Sequence, residues 1–129
     1  MILAELVWSH TQKFAEQYSL DGYLKKITNV FSVIILSNKL VRISLYIEEM
    51  DFYLYAEVEM LNSKGQTLRK VRIDDGTSKR MVYLRKKGLR SWSKSLQNRI
   101  LNQMIDLYIF YIQKSIDEQF EVPTEQDSL

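Results

Sequence analysis

Acid–base and nucleophilic catalysis rest on a small set of side chains, and this sequence holds few of them. Its 129 residues include one histidine, His10, and no cysteine. Thiolate nucleophiles, thiolate metal sites and disulfide scaffolds are therefore out, and a histidine-rich metal centre has a single candidate ligand. His10 shares a helical spacing with Leu3, Phe14 and Tyr18, and spacing identifies no partner for it, so it reads as a partly buried structural histidine. Three acidic groupings could supply paired carboxylates: Glu48-Glu49-Asp51, Glu57 with Glu59, and Asp74-Asp75. The first and third fall in turn-like sequence, where acids hydrogen-bond locally; the second lies on the solvent side of an alternating strand. Asp74-Asp75-Gly76 begins like a calcium loop but lacks the remaining ligands and the terminal glutamate. Gly22, Gly65, Gly76 and Gly88 are each isolated, so there is no phosphate-cradling loop, and neither G-x-S-x-G nor H-E-x-x-H occurs. The expectation is a chain that is not an enzyme, with no catalytic residue, no metal and no cofactor.

Two other patterns carry binding chemistry. The net charge of +2 conceals an uneven layout: −2 over residues 1–64, +9 over 65–99 and −5 over 100–129. The basic middle consists of Arg69, Lys70, Arg72, Lys79, Arg80, Arg85, Lys86, Lys87, Arg90, Lys94 and Arg99. It reads either as a solvated edge strand and loop, where lysines also discourage edge-to-edge pairing, or as a contact site for phosphates or acidic protein. The second pattern is Tyr46, Tyr53 and Tyr55, which share one strand face with Arg42, Glu57 and Glu59, with Glu48, Glu49 and Asp51 at one end. Tyrosines favour strands for their own sake. Exposed, they also form binding faces, because they supply contact area at low entropy cost. The surrounding acids would draw a basic partner and repel nucleic acid.

The elements that must position these residues follow from hydrophobic period. Residues 2–20 have helical spacing, with Asp21-Gly22 as a stop; Tyr23–Ile27 is ambiguous between strand and helical turn. Val30–Leu36, Leu40–Ile47, Phe52–Leu61 and Gln66–Ile73 read as strands, the last with Leu68 out of phase, as a bulge would produce. Lys79–Arg85 is a further strand candidate. Ser91 or Ser93 can cap a long helix to about Gln119, striped by Trp92, Leu96, Ile100, Met104, Tyr108, Ile112 and Ile116. Its centre is apolar nearly all round, with Tyr108, Phe110 and Tyr111, which makes it a candidate homodimer contact. Strands joined by short turns pair antiparallel. The expected fold is α+β: an antiparallel four- to five-stranded meander sheet flanked by an N-terminal helix and a long C-terminal helix. Residues 1–120 form the single domain and 121–129, with Glu121, Pro123, Glu125 and Asp127, a disordered acidic tail.

At 46% apolar and 26% charged, the composition is that of an ordinary globular protein. Glu5, His10, Lys13 and Glu16 interrupt any signal-like apolar run. The most apolar stretch, Met104–Ile112, contains Asp106 and is far short of the ~20 residues that cross a bilayer. The expectation is a cytoplasmic protein with no membrane partner.

The stretch Val30–Met60, with the hairpin Val33-Ile34-Ile35-Leu36-Ser37-Asn38-Lys39-Leu40-Val41-Arg42-Ile43, resembles small bacterial immunity proteins, the cognate inhibitors of contact-dependent and other polymorphic toxins. The resemblance covers about a quarter of the chain and implies a single cytosolic domain that binds one toxin domain and carries no catalytic residues. Inhibitors of nuclease toxins are often acidic overall, whereas this chain is slightly basic. On this reading the partner-binding residues are Tyr46, Glu48, Glu49, Asp51, Tyr53, Tyr55, Glu57 and Glu59, occluding the toxin's active site. Two alternatives stand beside it: nucleic-acid binding by the basic 69–99 segment, and a small secretion chaperone.

Overall fold

The computed structural model describes residues 2–50, 53–74 and 93–127. Helix α1 (Ile2–Gln17) is followed by strands β1 (Asp21–Lys26), β2 (Phe31–Ser37), β3 (Val41–Glu48), β4 (Tyr53–Leu61) and β5 (Thr67–Asp74), and then by helix α2 (Lys94–Asp127). The strands form one antiparallel sheet in sequence order, β1-β2-β3-β4-β5. This is the expected α+β meander with a helix at each end. Its fifth strand is the segment whose spacing was ambiguous, now β1; the candidate at 79–85 lies outside the described residues.

Alternation creates the core. Ile34 and Leu36 of β2, Val41, Ile43, Leu45 and Ile47 of β3, and Leu54, Ala56 and Val58 of β4 are all buried on one face. The register aligns them in rows, such as Leu36 beside Ile43 beside Val58 beside Val71. Leu3, Val7 and Phe14 of α1 and Leu101, Met104, Ile105, Tyr108, Ile112 and Ile116 of α2 close over that face in one cluster. The helices run parallel to each other: His10 meets Asn102 and Asp106, Gln17 meets Gln113, and Tyr18 meets Asp117.

Local chemistry explains the boundaries. The amides of Ser19 and Leu20 return to the carbonyls of Glu16 and Ala15 (3.2 and 2.8 Å), a Schellman ending that places Ser19 at φ 53°. The helix thus stops at Gln17, with Ser19 the left-handed residue just beyond it, before the expected Asp21-Gly22. Gly22 serves β1 instead, where any Cβ would collide with the Leu36 side chain and the Ile35 carbonyl. Three of the hairpin turns, β1–β2, β2–β3 and β4–β5, are tied by a side-chain oxygen that accepts backbone amides: Thr28 from Val30 and Phe31, Asn38 from Leu40 and Val41, and Asn62 from Lys64 and Gln66. At the last turn Gly65 adopts φ 78°. The register slips at Met60/Leu61, so that Thr67 and Arg69 pair and Leu68 is passed over; Leu68 is 67% exposed. That is the bulge its phase implied.

The start of α2 agrees with the sequence reading and its end runs further than the expected Gln119. Ser93 caps α2, its Oγ accepting the Leu96 amide at 3.3 Å. At the other end α2 continues through 121–127, where composition alone assigns a disordered tail. Among the described residues no helix is long and apolar enough to cross a membrane.

Candidate protein-binding face

Both helices lie on one side of the sheet, so the strands' other parity forms a second face. Cross-strand register assembles it from Phe31, Val33 and Ile35 of β2; Arg42, Ser44, Tyr46 and Glu48 of β3; Tyr53, Tyr55, Glu57 and Glu59 of β4; and Lys70 and Arg72 of β5. Tyr46 stands directly opposite Tyr55, and Glu48 opposite Tyr53.

The aromatic rings form a ladder across three strands. Tyr46 stacks between Phe31 (centroids 6.1 Å apart) and Tyr55 (4.6 Å, interplanar angle 15°). Tyr53 tilts against Tyr55 at 5.6 Å. The Arg72 guanidinium lies 4.3 Å from the centroid of Tyr55, a cation–π contact, and donates to the Tyr53 hydroxyl at 3.3 Å. Beneath this layer Val33 and Ser44 are buried, while the three tyrosines stay half-buried. Tyr46 is stacked on by Phe31 and Tyr55, and Tyr55 is contacted by Tyr46, Tyr53 and Arg72.

The charges beside the ladder are organised in pairs. Arg42 grips Glu59 with two nitrogens, at 3.0 and 3.4 Å, and Thr67 donates to the same carboxylate at 2.6 Å. These bonds hold the Glu59 carboxyl below its ordinary value, the hydrogen bond from Arg42 being the largest cause and that from Thr67 the next. Lys70 pairs with Glu57, and that hydrogen bond raises the lysine. An acidic face built from Glu57 and Glu59, as their spacing implied, is therefore replaced by a face of locally neutralised pairs.

The remaining site residues disperse. Glu49 points to α1, its two carboxylate oxygens accepting the Leu3 and Ala4 amides at 3.0 and 3.2 Å; an anion is favourable at that helix end. Asp51 lies outside the described residues, as do Lys79, Arg80, Arg85, Lys86, Lys87 and Arg90. Of the basic segment's strand residues, Lys70 and Arg72 belong to the tyrosine face itself. The two candidate surfaces read from the sequence thus meet on β4 and β5. Sequence reasoning missed Phe31 and the placement of Arg72 on Tyr55. The short Ser37–Arg42 hairpin, once its register is known, puts Phe31 opposite Glu48 and beside Tyr46.

His10 has partners that spacing did not show. Nδ1 faces Asp106 Oδ1 at 2.8 Å and Nε2 faces Asn102 Oδ1. Asn102 is oriented by its own amide, which donates to the Asn98 carbonyl at 2.6 Å. The imidazole cross-links α1 to α2. Among the described residues no group of three or more histidine or acidic side chains is placed to hold a metal ion. No protein-family model, curated protein or solved structure matches the chain.

Proposed function

We propose that this chain is a non-enzymatic protein-binding module of the bacterial cytoplasm, an immunity protein that neutralises a toxin domain by covering its active site with the helix-free face of the sheet. The observation that carries this reading is the ladder Phe31–Tyr46–Tyr55–Tyr53 capped by Arg72. Rings held by their neighbours are already ordered, so a partner meets contact area whose entropy cost is paid in folding. Tyrosine and arginine are also the residue types that dominate interface energetics. The contact residues are Tyr46, Tyr53, Tyr55 and Glu48, joined by Phe31 and Arg72; Glu57 and Glu59 act by fixing Lys70 and Arg42 rather than as free charges.

Arg72 and Lys70 within the face favour a second reading, in which single-stranded nucleic acid lies along β5. The ladder argues against it: base stacking needs open ring faces, and Tyr46 and Tyr55 stack on neighbouring rings. A salt titration separates the two, since oligonucleotide binding that falls steeply with salt supports the second reading.

The direct test is co-expression with the toxin domain encoded beside this gene. Wild-type protein should restore growth and form a complex. Tyr55→Ala should weaken that complex by about 2 kcal/mol or more, as truncation of a central aromatic does, while thermal unfolding shows the sheet intact. Full affinity in folded Tyr46→Ala and Tyr55→Ala proteins would exclude this face, and failure of the wild type to bind or protect would exclude the function.

A further inference from the structure

Helix α2 has two sides of different character. One side is core. The opposite side presents Gln103, Asp106, Phe110, Lys114 and Asp117, all exposed. At the 3.6-residue period these five positions form one stripe with Phe110 in its middle. Phe110 is 55% exposed, its ring edge-on to Tyr111 at 5.8 Å. It borders a groove lined by Gln113, Lys114, Asp117 and Glu118. Phe110 thus sits at the centre of a polar helix face, and the arrangement of the flanking charges suits one kind of partner.

The stripe is self-complementary about Phe110. Asp106 precedes Phe110 by one helical turn and Lys114 follows it by one; Gln103 and Asp117 occupy the next turns out. In a two-fold antiparallel pairing of two such helices, each residue before the centre meets its counterpart after it. Asp106 of each copy then faces Lys114 of the other, Gln103 faces Asp117, and the two Phe110 rings meet at the axis beside the grooves. A parallel pairing would set Lys114 against Lys114 and Asp106 against Asp106, so charge repulsion selects the antiparallel arrangement. The Asp106 side chain is 69% exposed even while it contacts His10, which leaves it able to serve both neighbours.

We propose that the solvent face of α2 is a self-association surface, on which a second copy of this chain docks antiparallel about a two-fold axis at Phe110. One helix face is small among specific interfaces, so the dimer is weak and concentration-dependent. α2 and the aromatic ladder lie on opposite layers of the molecule. The pairing therefore leaves both ladders open and makes the dimer bivalent toward the partner of the sheet.

Sedimentation equilibrium on the full chain tests this independently of any toxin. The wild-type average mass should rise with concentration. Phe110→Ser, Lys114→Glu and Asp106→Lys should each raise the dimer dissociation constant by about tenfold or more. Mixing Lys114→Glu with Asp106→Lys should restore association close to wild type, because the heterodimer regains an opposite-charge pair at both contacts. If Asp106→Lys loses helicity through its His10 contact, Lys114→Glu and Phe110→Ser, which leave that contact intact, decide the matter. A wild type that stays monomeric at high concentration, variants that dimerise as it does, or a mixture of folded variants no more associated than its components would overturn the proposal.

Discussion

Tyr18 shows how one side chain can join elements that lie far apart in sequence. Its ring packs on Phe14, with centroids 5.1 Å apart, and its hydroxyl donates to Asp117 on α2 at 2.9 Å. Burial first, then the hydrogen bond and negative charge of Asp117, push the phenol up to about 12 from its usual 10.0. A raised value means that the folded state holds its proton more tightly than the unfolded chain. The stabilisation is therefore complete below pH 10 and is lost as pH rises through about 12. Tyr18→Phe should be less stable than wild type at neutral pH, with the difference shrinking between pH 10 and about 12. Urea unfolding of both proteins across that window measures it, and a constant difference would mean that the Asp117 bond contributes nothing. At the same scale Glu57, Glu59 and Glu49 each have a specific partner within the fold: Lys70, Arg42 and the Leu3 and Ala4 amides.

At the scale of elements, the turns hold the register, and one of them also holds a helix. Asn38 and Asn62 use the same chemistry, a carboxamide oxygen accepting two backbone amides across a hairpin turn. They differ in the nitrogen. Asn62 Nδ2 donates to the Gln66 side chain, while Asn38 Nδ2 reaches the Tyr18 carbonyl at the end of α1. A helix-end carbonyl lacks an intrahelical partner, so Asn38 both closes β2–β3 and fixes how α1 enters the sheet. Asn38→Ala should cost about 1–3 kcal/mol, the penalty for partly buried groups left unpaired. Asn62→Ala, which breaks only local, solvent-exposed hydrogen bonds within its own turn, should cost less. Equal shifts in denaturant midpoint would show that the tie to α1 carries no stability.

The whole molecule is two layers around one core, and it sorts residues that look equivalent in the sequence. Leu96 and Ile105 are both apolar residues of α2. Ile105 is fully buried against the sheet, whereas Leu96, in the first turn, is half-buried. Ile105→Ala should cost about 2–5 kcal/mol through lost burial and the cavity left behind. Leu96→Ala should cost clearly less, because a half-exposed site gives up less burial and leaves no closed void. Chemical denaturation of both variants checks the ranking, and a small Ile105→Ala effect would mean that α2 does not close the core. The two-layer arrangement also separates the aromatic ladder from the Phe110 stripe, so the molecule can present two surfaces at once.

Features that depend on near neighbours are legible along the chain. Alternation over β3 and β4, the turn residues Asn38 and Asn62, the phase slip at Leu68 and the apolar stripe of α2 are all set within a few residues. They specify an antiparallel meander between two helices and the strand face that each tyrosine occupies. Only the tertiary structure decided what depends on distant chain segments meeting. It turned the ambiguous Tyr23–Ile27 segment into β1 by pairing it with β2. It joined Arg42 to Glu59 and Lys70 to Glu57, which replaced an acidic face with neutral pairs. It also gave His10 its partners on α2, more than ninety residues away. Period and turn chemistry are local and can be read along the chain. Charge pairing and burial depend on cross-strand register and on helix docking, and these exist only once the sheet has formed.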